Sequence, residues 1–209
     1  MFTPGIIAIG GTGSIVFGVN EAGEQLRNYD VGHWGGGRAS SVAYDSIHGL
    51  LAGDGVEADE GFARQIYAFW EVADLAGLHE LGAVGFIEDR IERDYRFGVM
   101  AHLVTEAAEA GSPLACAVCD AGVSALCVVI RIVGSRFSGP GIEVVLVGGV
   151  VRSSYVQKAV PRSLAEDRER QYTAVEPAFA PEIGAAIMAL KNHGIAIDEA
   201  VAARLSEVV

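Results

Sequence analysis

The sequence predicts an α/β fold in which three short antiparallel strands are followed by helices and parallel strands. The first observation is that two apolar runs flank the glycine-rich stretch 10–14, and a third run at 25–29 follows a second turn. This pattern is typical of a strand meander. The second is the continuous apolar run 142–147, which leads into Gly148 and Gly149 and favours a covered, parallel strand. No internal repeat or linker interrupts the chain, so we expect residues 1–209 to form one domain.

Apolar residues recur at helical spacing between these strands, and capping residues mark several of the helix ends. Ser112 and Pro113 are typical of an N-cap followed by a first-turn proline. The charge run 88–94 predicts a solvated helix face, and 77–86 is expected to be short and irregular. Helices are predicted from Ser40 or Ser41 to about 52, from 59 or 60 to about 75, over 95–110, from 112 to about 132, from near Ser153, over 182–191 and from 198 onward, with a short strand at 172–176.

The charge, the apolar stretches and the cysteine content of the chain exclude several classes of protein. The chain has 27 acidic and 15 basic residues and a net charge of -12, so nucleic acid would be repelled. The longest apolar stretches, near 123–133 and 142–151, fall short of the roughly 18 residues that a membrane span needs. Three cysteines favour a reducing compartment rather than a disulfide scaffold, and no secretory signal is recognisable. We therefore expect a soluble, cytoplasmic protein.

The first glycine turn has two interpretations. Gly10, Gly11 and Gly13 have no Cβ, so the turn can adopt positive φ and a ligand can lie against bare backbone. Thr12 and Ser14 add hydroxyls beside exposed amides, and such a concavity suits phosphate oxygens. An ordinary hairpin with a glycine-rich turn is an equally good interpretation of these residues alone. The turn is not a P-loop, because no Gly-Lys-Ser/Thr follows it.

Four segments in this order resemble the C-terminal lobe of the BadF/BadG/BcrA/BcrD-type ATPases and the related N-acetylglucosamine kinases. They are the turn 10–14 between two strands, Glu109–Ala115 between two helices, Gly148–Val150 after a strand, and Pro181–Ala186 near the end. The resemblance spans nearly the whole chain. It implies a ribonuclease-H-like fold of the actin/hexokinase/Hsp70-like superfamily, with ATP and Mg²⁺ as cofactors.

The resemblance also implies roles for individual residues. The second phosphate loop would hold the β- and γ-phosphates, the second glycine pair would lie against adenosine beside a helix N-terminus, and a late glycine would allow close helix packing under the nucleotide. The residues in these roles are Gly11, Thr12, Gly13 and Ser14, then Gly148, Gly149 and Ser153, then Gly184. The loop after the meander would contact the acceptor through His33, Trp34, Gly37 and Arg38.

Two departures from the family matter. Relatives have two lobes, and the first supplies another phosphate loop and the aspartate that takes the acceptor's proton. This chain begins just before the second phosphate loop, so we assign no catalytic residue and no metal ligand within it. The kinases usually carry Gly-Asp-Glu-Gly-Ser where this chain has Gly37–Ser41. Arg38 and Ala39 replace the two acidic residues, which leaves an amino-sugar acceptor unsupported.

Other side chains were weighed as sites. Cys116, Cys119 and Cys127 are interpreted as structural thiols, because helical rise separates the first and last beyond any shared metal. His33 and Trp34 could equally pack within their loop. Asp45 and His48 are more readily explained as a surface pair than as a metal or acid–base pair.

Three hypotheses for function remain from the sequence. In the first, the chain is the ATP-binding lobe of a kinase or ATPase whose base comes from a missing lobe. In the second it is a non-catalytic nucleotide- or partner-binding module, and in the third it is a truncated fragment. The missing lobe would leave apolar surface beside Thr12, Trp34 and Gly148, so we expect a first-lobe partner or a homodimer there.

Overall fold

The first strand of the chain lies at the centre of a five-stranded sheet. β1 (Gly5–Gly10) pairs antiparallel with β2 (Ser14–Val19), which pairs antiparallel with β3 (Gln25–Arg27). On its other side β1 pairs in parallel with β4 (Gly141–Val147), which pairs in parallel with β5 (Gln171–Val175). The strand order is β3-β2-β1-β4-β5, and the predicted α/β class is confirmed.

The structure is a computed structural model that describes residues 4–32, 38–198, 201 and 204. It divides into two compact units, Met1–Val175 and Glu176–Val209. The first unit contains the sheet and six helices of the described chain. These are α1 (Ala39–Ala52), α2 (Glu60–Phe69), α3 (Leu75–Ala83), α4 (Arg90–Glu109), α5 (Pro113–Gly134) and α6 (Ser154–Leu164). The second unit contains α7 (Pro181–Asn192).

Buried and exposed residues alternate along the central strands, which indicates that one face of the sheet is covered. Ile6 and Ala8 of β1 are buried, whereas Ile7 between them is 40% exposed. Val16 of β2 and Val144 of β4 are also fully buried. Helix α5 packs on β1 and β2, α6 packs on β5, and α1 and α4 pack on each other and on α5. The core therefore lies between one sheet face and the helical layer.

An aromatic cluster fills the helical layer. The ring of Phe97 stacks on Tyr44 with centroids 3.6 Å apart, and Trp70 and Phe86 lie against it at 4.8 and 5.1 Å. The indole nitrogen of Trp70 donates to the sulfur of Met100 at 3.1 Å, so its polar atom is not left unpaired in the core. These contacts join α1, α2 and α4 into one layer.

The segment after α2 differs from the sequence prediction. The predicted helix to about residue 75 ends at Phe69, and Glu71 adopts a left-handed φ of 58°. The stretch predicted to be irregular contains α3, whose N-cap Asp74 accepts a hydrogen bond from the amide of Gly77 at 3.0 Å. The chain therefore turns sharply at Glu71 and begins a separate helix, because Asp74 can cap it.

The starts of two helices also differ from the sequence prediction. Helix α4 begins at Arg90 rather than at 95, because the Asp89 carboxylate caps it by accepting from the amide of Glu92 at 2.8 Å. The N-cap of α1 is Arg38, so Ser40 and Ser41 lie inside its first turn and do not cap it. The predicted N-cap Ser112 is confirmed, and so is the predicted helix start near Ser153, which caps α6.

Helix α5 is longer than the apolar stretch identified in the sequence. This helix of 22 residues is long and apolar enough to cross a membrane by length and composition alone, with a mean hydropathy of 2.1 over its most apolar 18 residues. A core helix meets the same criterion. Here α5 packs on strands β1 and β2 and on helices α1, α4 and α6, and its inner residues, including Leu126 and Ile130, are buried. Its apolar character is therefore explained by its central position in the first unit.

Candidate functional site

The two predicted glycine turns meet at the carboxyl ends of β1 and β4. The carbonyl oxygen of Gly10 accepts from the amides of Val150 and Val151 at 3.2 and 3.3 Å. Gly148 has a φ of 112°, and a Cβ there would lie only 2.6 Å from the Gly10 carbonyl oxygen. Only glycine allows this backbone conformation and this approach. Hydrogen bonding and close packing therefore hold the two turns together.

The start of α1 is hydrogen-bonded to the first glycine turn. The amide of Ala39 donates to the carbonyl oxygen of Gly11 at 2.9 Å, and the amide of Gly11 donates to the carbonyl oxygen of Gly13 at the same distance. Arg38, one residue earlier, is exposed at the N-cap of α1. Arg38 therefore directly precedes the residue that is hydrogen-bonded to the first glycine turn.

A pocket of about 240 Å³ opens where these elements converge. It is lined by both glycine turns, by the first residue of α1 and by one side of α4. The described lining residues are Gly11, Thr12, Ala39, Gly98, Val99, Ala101, His102, Thr105, Gly149 and Val150. Residues from four separate parts of the sequence therefore form one concave site.

The glycine side of the pocket presents backbone donors. Within the described part of the chain, no acceptor takes the amide N–H groups of Thr12, Gly13 or Gly149. Thr12, Gly13 and Gly149 are all exposed, and a Cβ at Gly149 would meet no described atom within 4 Å. Successive free amides in a turn form a concavity that suits an anion. This side of the pocket can therefore hold phosphate or carboxylate oxygens.

The opposite wall is formed by α4, a helix that the sequence predicted over 95–110 but did not indicate as part of a site. Gly98 leaves open space beside the helix, because a Cβ there would meet no described atom within 4 Å. His102 is exposed, and its Nδ1 contacts the carbonyl oxygen of Val99. Thr105 is buried and donates from Oγ1 to the carbonyl oxygen of His102 at 3.0 Å. This wall offers open space at Gly98 and one exposed imidazole to a ligand.

With this geometry established, the fold can be compared with known structures. The crystal structure of a candidate N-acetylglucosamine kinase from Chromobacterium violaceum matches with a TM-score of 0.54. The fold is similar to that of a sugar kinase. The match covers 84% of this chain but 55% of the other, at 19% sequence identity, so this chain spans about half the length of that structure. At this identity the likeness shows the fold alone.

The sequence comparisons found no relative. No family model matches the chain, and no curated protein matches it either. The resemblance to the BadF/BadG/BcrA/BcrD-type ATPases and N-acetylglucosamine kinases that the sequence indicates therefore stays a prediction.

The structure brings only some of the predicted nucleotide residues to the pocket. Gly11, Thr12 and Gly149 line it, and Gly13 lies in the same turn. Ser14 is the first residue of β2 and is 5% exposed, so its side chain lies in the interior of the protein. Gly148 is explained by its approach to Gly10 and is not among the described lining residues.

Two further predicted residues have other positions. The hydroxyl of Ser153 donates to the carbonyl oxygen of Val150 at 2.8 Å and accepts from the amide of Val156 at 3.4 Å. It is therefore engaged in capping α6. Gly184 lies in α7 of the second unit, and its role stays a prediction. His33, Trp34 and Gly37, which were predicted to contact an acceptor, lie outside the described residues.

Of the alternative sites named from the sequence, the thiols Cys119 and Cys127 are buried. Burial raises the pKa of Cys119 to about 12, with the nearby Cys116 and acidic side chains adding to the shift, and burial also raises the pKa of Cys127. Over the described ranges, no group of three or more potential metal ligands comes together. Asp45 and His48 line a groove of about 620 Å³ between α1 and α5. Buried thiols with raised pKa values are weak nucleophiles and weak metal ligands.

Proposed function

We propose that this chain is the nucleotide-binding lobe of a two-lobed, ATP-dependent sugar kinase or ATPase with a ribonuclease-H-like fold. The observation that carries the proposal is the meeting of two glycine turns at one pocket, which Thr12 and Gly149 line and whose first turn also contains Gly13; no described acceptor takes the amides of these three residues. The predicted BadF-type and N-acetylglucosamine-kinase-like relationship is part of this proposal.

The topology supports the proposed fold type. An antiparallel β3-β2-β1 meander continues through the parallel strands β4 and β5, and helices cover one sheet face. In α/β sheets, ligands commonly bind at the carboxyl ends of the strands. The pocket lies at that end of β1 and β4, since Gly11 follows β1 directly and Gly149 lies two residues after the end of β4.

The residues present fit a bound Mg·ATP. The amides of Thr12, Gly13 and Gly149 would hold phosphate oxygens, and the Thr12 hydroxyl lies in the same turn. The described lining residues include no carboxylate, so Mg²⁺ would reach the site on the phosphates rather than on acidic ligands of this chain. Mg·ATP would supply the phosphoryl group. The pocket's contribution is to position it and to offset its negative charge.

The α4 wall supports placement of the nucleoside. Gly98 and Val99 contribute apolar surface against which a base could lie, and the exposed imidazole of His102 can hydrogen-bond a ribose hydroxyl or a ring nitrogen. Gly149 lies in the same pocket on the side of the amides. The nucleoside would therefore lie between α4 and the second glycine turn.

The acceptor and the general base belong to a second lobe in this proposal. The similar kinase structure extends well beyond the region that this chain matches. A base that takes the acceptor's proton is typically worth about 10²–10⁴-fold in rate. We therefore propose that the isolated chain binds nucleotide but transfers its phosphoryl group poorly. Arg38, exposed beside the first glycine turn, would contact an anionic group on the nucleotide or acceptor.

Calorimetric titration with Mg·ATP and Mg·ADP tests the proposal, with wild type compared against Gly149→Val. Because no described atom lies within 4 Å of a Cβ at Gly149, a protein with valine there should fold normally, and the valine should project into the proposed ligand volume. We expect affinity to fall at least about tenfold, or roughly 1.4 kcal/mol. Equal affinity in the two proteins would contradict the proposed site.

The matched control is Gly61→Val. Gly61 also leaves open space for a Cβ, but it lies in α2 and is not among the described lining residues of the pocket. We expect its nucleotide affinity to equal that of wild type.

His102→Ala provides a second probe from the opposite wall. The nucleotide affinity of this variant should fall without any change in its far-ultraviolet circular dichroism spectrum.

A further inference from the structure

A polar cavity of about 450 Å³ lies between the end of α4, the first half of α5 and α6. The polar side chains among its described lining residues are Glu109, Asp120, Ser154, Tyr155, Lys158 and Arg162. None of these residues is among those described as lining the nucleotide pocket. Its volume falls within the range of small-molecule sites, about 300–1,000 Å³. The cavity is therefore a separate candidate site that the proposed function does not use.

The two acidic side chains of this cavity are engaged by Tyr155. One carboxylate oxygen of Glu109 accepts from the amide of Tyr155 at 3.2 Å, and one of Asp120 accepts from the phenol hydroxyl at 2.9 Å. Burial, with the side chains of Cys116 and Asp120 adding to the shift, raises the pKa of Tyr155, so the phenol stays protonated at neutral pH. Each carboxylate therefore already has a hydrogen-bond donor from this chain.

The two basic side chains of the cavity are not paired in this way. Lys158 and Arg162 lie four residues apart in α6, so they leave the same side of the helix. Among the residues that the structure describes, neither side chain has a hydrogen-bond acceptor or a carboxylate oxygen within 4.0 Å, although Glu109 and Asp120 line the same cavity. The unused hydrogen-bonding capacity of the cavity is therefore mainly that of positively charged donors.

We propose that this cavity binds a small organic anion, whose phosphate or carboxylate group is held between Lys158 and Arg162. The planar guanidinium presents parallel N–H donors that match two oxygens of either group, and the lysine ammonium adds a second positive charge. The hydroxyl of Ser154 lines the same cavity and can donate to the ligand as well. These donors come from one helix, so α6 positions them together.

The size of the cavity indicates a ligand larger than an inorganic ion. A bare phosphate would leave much of the 450 Å³ unfilled, whereas an organic part can lie beside the ring of Tyr155 and the methyl group of Ala159. The proposal goes beyond the proposed nucleotide site and does not depend on it, because it rests on the charges and contacts of α5 and α6.

Titration with glycerol 3-phosphate and with glycerate, followed by heteronuclear magnetic resonance on nucleotide-free protein, tests the site. The two probes share a three-carbon skeleton and differ in the anionic group, and glycerol is the neutral control. We expect backbone amides of residues 154–162 to shift with at least one anion and not with glycerol. Tighter binding of one probe identifies phosphate or carboxylate as the group that the site prefers. No shift with either anion, or equal shifts with glycerol, would overturn the proposal.

Two double variants separate specific binding from general attraction of anions. Lys158→Gln with Arg162→Gln should weaken probe binding at least about tenfold, because it removes both charged donors. Arg64→Gln with Arg168→Gln removes the same charge outside the described lining residues and should bind as wild type does. All four side chains are exposed, so the fold should persist, which circular dichroism checks. Gly149→Val should also keep full probe affinity. Equal losses in the two double variants, or loss of binding in Gly149→Val, would overturn the proposal.

Discussion

The hydroxyl of Ser112 donates a 2.6 Å hydrogen bond to a carboxylate oxygen of Asp59, and both side chains are buried. The same oxygen accepts from the amide of Leu114 at 3.1 Å, and the other carboxylate oxygen accepts from the amide of Val56 at 2.9 Å. Asp59 immediately precedes α2, and Ser112 caps α5. This one carboxylate therefore joins the starts of two helices that are distant in sequence.

Ser112→Ala should destabilise the protein by about 1–3 kcal/mol. The change removes the N-cap of α5, whose hydroxyl also accepts from the amide of Ala115 at 3.2 Å, and it removes one hydrogen bond to a buried carboxylate. Denaturant unfolding measures the loss. Ser135→Ala is the control, because the Ser135 hydroxyl bonds the Ile132 carbonyl oxygen on an exposed helix end. An equal effect of the two changes would contradict the role given to Ser112.

Stability should fall in mild acid because of Asp59. Burial opposes ionisation of Asp59, but hydrogen bonds from Ser112 and from the amides of Val56 and Leu114 outweigh it and lower the pKa below 3.8. A lowered folded-state pKa contributes stability above the unfolded value, and this contribution is lost as pH falls through the folded value. Unfolding free energies from about pH 5 to about pH 3 should therefore decline less steeply in Asp59→Asn than in wild type. Parallel declines would rule out this role for Asp59.

The Glu21 carboxylate should titrate far below its ordinary range. It accepts from the amides of Ser138 at 3.0 Å and Gly139 at 2.8 Å, and these bonds, with one from its own amide, lower the pKa from 4.5 to about 2. The carboxyl resonance of Glu21, followed by nuclear magnetic resonance as the solution is acidified, measures this value. The Glu21 resonance of the denatured protein provides the reference. A Glu21 midpoint equal to that of the denatured protein would show that the contact with the 138–139 loop is absent in solution.

Two neighbouring glycines should respond differently to alanine. Gly148→Ala forces a left-handed φ on alanine and places its Cβ 2.6 Å from the Gly10 carbonyl oxygen, so it should cost at least about 1–3 kcal/mol of stability. Gly149→Ala meets open space, and its unfolding free energy should stay within about 1 kcal/mol of wild type. Thermal and denaturant unfolding of the two variants make the comparison. If Gly149→Ala destabilised the protein more than Gly148→Ala, the close approach to Gly10 could not be assigned to Gly148.

Two of the three thiols should resist labelling in the native protein. Cys119 and Cys127 are buried, and burial raises the pKa of both. Cys116 is only partly buried. A thiol reagent at about pH 8 should therefore modify at most one cysteine rapidly and all three after denaturation. Mass spectrometry of the labelled peptides identifies the site, and rapid native labelling of Cys127 would contradict the described packing.

Helix boundaries were predictable where a capping side chain acts locally. Ser112 with Pro113 and Ser153 predicted the starts of α5 and α6, because each hydroxyl accepts from an amide three residues later. The break after α2 was missed, because Glu71 adopts a left-handed φ that its sequence does not require. Asp74 was the available signal for α3, but Gly77 within that helix made the segment resemble a loop.

The candidate site was predictable only on one side. Two strands that end in glycines predicted the turns around Thr12 and Gly149, because that pattern is contained in short segments. The α4 wall depends on packing between residues that are distant in sequence. Gly98 and His102 have no local feature that separates them from an ordinary exposed helix face, so sequence periodicity could not identify them.

The pairing of β1 with β4 has a consequence for how the protein is made. Ile6 lies opposite Val144, so more than half of the chain must leave the ribosome before this ladder can form. The β1–β2 hairpin is local and can form early. Until β4 is synthesised, the other edge of β1 has no partner strand. During that interval the nascent chain presents an apolar strand edge to chaperones and to its neighbours. Slow synthesis or a stall before residue 141 would therefore favour aggregation of a chain whose finished fold protects that edge.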